Sequence, residues 1–103
     1  MPIQGEPFER VTQRLNALSG PALDLYSDLE ERIGRMIDAS PKKGSWLVDV
    51  ATIVDSRGRQ FPEEIWEVWL EMVDTRCWKY NDRRYTIERL SHRSGLYLLS
   101  VEE

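Results

Sequence analysis

Cys77 and His92 are the chain's single thiol and single imidazole, the two side chains that could act as nucleophile and base. Their settings argue against that use. His92 falls in the turn-like "SHRSG" beside Arg93, where a solvated ring is expected. Cys77 follows a helix with a wide apolar face, where a thiol packs. Glu63, Glu67 and Glu71 recur at i, i+4 and i+8, so a helix would stack three carboxylates on one face. With one His and one Cys, a zinc site would need carboxylates to complete it, and an isolated stripe of acids reads as a solvated face. No pair among the eighteen acids is singled out for acid–base work. "DSRGRQ" has neither the glycine spacing nor the Lys-Ser/Thr of a phosphate-binding loop. The expectation is a protein with no cofactor, no metal and no catalytic centre.

Charge is distributed unevenly. The chain of 103 residues carries a net charge of −4. Residues 61–75 hold Glu63, Glu64, Glu67, Glu71 and Asp74 and no base. Residues 76–95 hold Arg76, Lys79, Arg83, Arg84, Arg89 and Arg93 against Asp82 and Glu88. In the basic segment arginines interleave with Trp78, Tyr80 and Tyr85, a composition able to grip phosphates and stack on bases.

The elements that would position these groups follow from periodicity. Phe8, Val11, Leu15 and Leu18 mark one face of a helix that ends at Gly20-Pro21. Ala22, Leu25, Tyr26, Leu29, Ile33, Met36 and Ile37 mark a second helix, with Asp28–Arg32 and Glu31–Arg35 as acid-first i,i+4 pairs and a stop at Ser40-Pro41. A short link makes these an antiparallel hairpin over residues 6–39. "PKKG" is a basic turn. Residues 46–54 are rich in β-branched side chains and are expected to form a strand, although a helical period also fits Leu47, Val50, Ala51 and Val54.

Residues 62–76 form the next helix. Phe61 is placed as a staple, Pro62 in the first turn, and Glu63 and Glu64 at the positive end of the dipole. Its apolar arc spans roughly 200°, about twice what a surface helix needs. Either two layers cover it or a partner takes the excess. Asn81-Asp82 is turn material. Residues 84–91 and 95–101 are expected to form a hairpin with Gly95 at the turn. The last strand is apolar on both faces, as in a central strand or a covered edge.

The resulting expectation is one domain, 1–103, of α+β class: a helical hairpin and one further helix on a small antiparallel sheet of 46–54, 84–91 and 95–101, in the order ααβαββ. The alternative is a winged-helix-like domain, with 45–54 helical, 61–74 in the recognition position and the C-terminal hairpin as wing.

The function expected is a small, non-catalytic protein-binding module: an accessory or regulatory protein, or an inhibitor or immunity-type protein. Trp46, Trp66, Trp78 and Tyr80 would supply anchors, and Glu63, Glu67, Glu71 and Asp74 would steer a basic partner. For each tryptophan taken singly, burial in the core is the stronger reading, above all for Trp66 and Trp69. Self-association through the last strand or the apolar arc is compatible with this role. The alternative is nucleic-acid binding through Arg83, Arg84, Arg89 and Arg93. The purely acidic polar face of residues 61–74 argues against it, because carboxylates facing phosphates repel. The lone Cys77, the lack of a secretory pattern at "MPIQGEPFER" and the lack of a long apolar run suggest a cytoplasmic setting with no membrane association.

Overall fold

The computed structural model describes residues 13–90 and 95–102. Two helices lie on one face of a four-stranded antiparallel sheet, giving the expected α+β architecture. Residues 13–16 are helical, and the rest of the expected first helix lies outside the described residues. Helix α1 (Gly20–Ala39) begins where the Ser19 hydroxyl accepts the Ala22 N–H at 3.2 Å, with Pro21 in the first turn. It is followed by β1 (Ser45–Asp49), α2 (Glu63–Asp74), β2 (Lys79–Tyr80), β3 (Arg83–Arg89) and β4 (Leu96–Val101).

The sheet order is β1-β4-β3-β2. Ser45 through Asp49 pair with Ser100 through Leu96, and Tyr85 through Arg89 pair with Val101 through Tyr97. β4 is therefore internal, which is why both its faces are apolar. The β1 strand is shorter than expected because Asp49 turns the chain. Its carboxylate accepts the Ala51 N–H at 2.9 Å, and its carbonyl accepts from Thr52 and Ile53. A short acidic side chain that offers the backbone such bonds competes with the ladder. Beyond Asp49, Val50 keeps one bond to the Gly95 carbonyl, and Val54 forms an isolated bridge with Gln60. Strand β2 was not anticipated. It is two residues long, joined to β3 by Asn81 and Asp82 with φ of 53° and 60°, the double positive φ of a primed hairpin turn. With 45–49 in the sheet, the helix required by the winged-helix alternative does not exist.

Alternation along β1 sends Trp46 and Val48 to the helical side, where they meet Tyr85 and Leu99. Helix α1 adds Tyr26, Leu29, Ile33 and Ile37, and α2 adds Ile65, Trp66, Val68, Trp69 and Val73. The wide arc of α2 is thus accounted for: α1 takes one side and the sheet the other. Leu70 and Met72 remain half-buried at its margin. Leu47, Leu96 and Leu98 lie on the opposite face of the sheet, outside this core.

Candidate functional site

A trough runs between α2 and the helical face of the sheet. One end is a cleft of about 460 Å³ lined by Val50, Gln60, Phe61, Glu63, Trp66, Glu67, Leu70, Arg89, Gly95 and Tyr97. The other end, about 270 Å³, is lined by Leu70, Glu71, Asp74, Ile87, Arg89 and Tyr97. Leu70, Arg89 and Tyr97 are shared, so the two are continuous. The acids recur about once per turn of α2, which places them along a single rim. Tyr97 and Arg89 are cross-strand neighbours on β4 and β3 and form the far wall. The trough has an apolar floor, an acidic rim and a basic wall.

The rim is partly neutralised from within. Arg14 donates to Glu71 and lies 3.5 Å from Glu67. Glu63 and Asp74 are exposed and make no ion pair among the described residues. Four of the acids expected to face a partner, Glu63, Glu67, Glu71 and Asp74, thus line one surface, as their spacing implied.

The aromatic anchors are placed differently. Trp46, Trp66 and Trp78 are each 3% exposed and Trp69 is fully buried, so no indole protrudes from the surface, and Trp66 shows only an edge to the cleft. The rings form a chain inside the protein. Phe61–Trp66, Trp66–Trp69 and Trp69–Trp78 meet edge-to-face at centroid distances of 6.4, 5.9 and 5.5 Å. Trp78 touches Tyr85 at 5.3 Å, and Tyr85 reaches Trp46 at 6.1 Å. Trp46 and Trp78, expected as anchors for a partner, are not exposed for that role. Instead their polar atoms are satisfied internally: Trp46 Nε1 donates to the Ser40 carbonyl at 3.1 Å and Trp78 Nε1 to Glu30 at 2.8 Å. Tyr80 stacks on Trp78 and donates to Asp38 at 2.5 Å, which ties β2 to α1 and away from the trough.

Glu30 sits half-buried at the margin of this chain of rings. Desolvation pushes its carboxyl above the usual carboxylate range, against the lowering effect of the Trp78 N–H and the Tyr26 hydroxyl. The Tyr26 phenol is itself raised, first by burial and then by the Glu30 charge.

The basic residues of the alternative reading do not converge. Arg83 and Arg84 share a shallow recess with Lys79, Asp82 and Glu102 at the start of β3. Arg89 stands at the other end of that strand, six steps from Arg83 and thus roughly 20 Å away, on the wall of the acidic trough. Arg93 and His92 lie outside the described residues. The Cys77 sulfur is half-buried, 3.2 Å from the Thr75 hydroxyl. Among the described residues no group of three or more His, Cys, Asp or Glu could hold a metal ion.

A further surface depression of about 470 Å³ lies between α1 and the 54–60 loop. Two of its carboxylates are engaged locally. Asp28 pairs with Arg32 at 3.3 Å and accepts the Ser56 N–H, and the Asp55 carboxylate accepts the Arg59 and Arg57 N–H groups, which lower its pKa.

Sequence reasoning missed Leu70, Tyr97 and Arg89 as trough residues. With apolar residues on both faces of the last strand, alternation alone did not say that Tyr97 faces the helices, and its position beside α2 depends on how the helix crosses the sheet. No helix among the described residues is long and apolar enough to cross a membrane. Compared with known proteins, the chain matches no family model, no curated protein and no solved structure.

Proposed function

We propose that the protein is a small protein-binding module, without catalytic activity of its own, that receives a basic segment of a partner protein in the α2–sheet trough. The observation that carries this reading is the acidic rim of Glu63, Glu67, Glu71 and Asp74 above a floor of Trp66, Leu70, Phe61 and Tyr97. A volume of about 460 Å³ suits one or two side chains, and a segment with Leu or Phe between Lys or Arg residues matches both floor and rim. The rim charges raise the rate of encounter and reject acidic competitors, and the apolar insertion supplies the residence time. Accessory, regulatory and inhibitory roles share this mode of action, and the lone Cys77 suits a cytoplasmic setting.

The test uses isotope-labelled protein titrated with a short peptide of alternating Lys/Arg and Leu/Phe. Amide shifts centred on Glu63, Glu67, Leu70 and Tyr97 that weaken with added salt support the reading. In the Glu63→Lys/Asp74→Lys variant affinity falls about tenfold or more, and both positions are exposed, so folding survives. Equal affinity for a Glu/Asp version of the peptide, or shifts scattered elsewhere, overturns it.

A second reading has one observation in its favour. Lys79 and Arg84 are directly opposed across β2 and β3, and a like-charged pair welcomes a counter-anion. Mixed-sequence duplex DNA added at low salt would then shift Lys79, Arg83 and Arg84 and leave the trough unchanged.

A further inference from the structure

Strand β1 is an outer edge of the sheet. The Val50 N–H bonds to the Gly95 carbonyl and the Val101 N–H to the Gly44 carbonyl, so even-numbered residues of this segment direct their backbone groups to β4. The backbone groups of Ser45, Leu47 and Asp49 therefore point away from the sheet. Among the described residues, neither Ser45 nor Leu47 bonds outside the ladder, and the Asp49 carbonyl is satisfied by Thr52 and Ile53. Among the described residues Leu47 is the most exposed large apolar side chain at 53%, and it lies opposite Leu98 on the sheet face away from the helices. Around Leu47 the edge leaves its backbone groups unbonded among the described residues, and such an edge is a template for another strand.

We propose that this edge pairs with β1 of a second copy of the chain, antiparallel, across a two-fold axis at Leu47. The choice of occupant rests on self-complementarity. Leu47 is the middle residue of β1, and its outward N–H and C=O would exchange both bonds with the same groups of the copy. The Asp49 N–H would meet the Ser45 carbonyl. The charges also match under this axis: Lys42 and Lys43 precede the strand and Asp49 ends it, so antiparallel pairing sets each basic end beside an acidic one. On the open face Leu98, Leu47 and their copies would form one unbroken apolar row running across the sheet. A parallel arrangement would oppose like charges and lose that row. The surface is separate from the trough, so its fate is independent of the peptide-binding reading.

The experiment is light scattering behind size exclusion from micromolar to millimolar protein, with amide hydrogen exchange measured at both extremes. The expected result is a concentration-dependent dimer in which the Leu47 amide becomes protected as concentration rises. Leu47→Lys raises the dissociation constant about tenfold or more, and Lys43→Glu raises it by a smaller factor through repulsion from Asp49 of the copy. Leu47 is exposed, so the first variant keeps the monomer fold. A protein that stays monomeric at millimolar concentration overturns the proposal. So does a dimer indifferent to Leu47→Lys whose Leu47 amide exchanges equally at both concentrations.

Discussion

Glu30 accepts from Trp78 Nε1 inside a half-buried setting between α1 and the aromatic chain. Because burial raises its carboxyl above the unfolded value, the native protein holds that proton more tightly than the unfolded chain does. The contribution of this group to stability is then greatest at low pH. It declines as pH rises from the ordinary Glu range through the raised folded value. Glu30→Gln keeps an acceptor for the indole and removes the ionisation. The variant is expected to melt above the parent at pH 7, with the gap closing toward pH 4, in thermal unfolding followed across that range. A gap that is constant with pH would show that the carboxyl is not desolvated. Nothing in the sequence pointed to Glu30, since a glutamate in an amphipathic helix reads as solvent-facing until a tryptophan from another element is placed over it.

At the level of elements, the contact between α1 and β2 turns on Gly34. A Cβ there would stand 2.6 Å from Tyr80 Cε1, so the missing side chain is what lets the tyrosine ring lie on the helix. Ordinarily Gly→Ala within a helix is stabilising by about 1 kcal/mol. Here Gly34→Ala would displace a ring that stacks on Trp78 and bonds Asp38, and a net loss of about 1–3 kcal/mol is expected. In a Tyr80→Ala background the same change should become stabilising. Urea midpoints of the two single variants and the double variant measure that reversal, and its absence would show that the ring moves aside freely. The sequence made α1 and α2 legible because a 3.6-residue apolar period, capping residues and prolines all agree over twelve or more positions. It left β2 invisible, since two residues carry no period, and it overextended β1, since Asp49 acts through a local bond that β-propensity does not register.

For the molecule as a whole, the aromatic side chains and the charges answer to different demands. Four tryptophans in a chain of 103 residues suggested surplus rings for a partner, yet a small domain with limited volume uses them to fill its interior. The acids of α2 were correctly read as a shared ridge, because helical spacing alone dictates it. That the ridge borders a trough required knowledge of the helix–sheet crossing, which no local pattern encodes. Among the described residues the surface has a concave acidic channel and an unpaired strand edge, and no protruding indole. If both surfaces act as proposed, pairing through β1 would leave each trough open, because the trough lies beside α2 on the helical side of the sheet.

The linked rings from Phe61 to Trp46 also give the protein an optical signature. Every indole is shielded from water, so steady-state emission should peak at short wavelength and resist quenching by a neutral solute such as acrylamide. With neighbouring centroids 5.5–5.9 Å apart, excitation absorbed by Trp66 or Trp69 should pass along the series, leaving emission strongly depolarised even in viscous solvent. Denaturation should shift the peak to the red and restore anisotropy in a single step. An early red component in the folded protein would mean that at least one of these rings reaches the solvent after all.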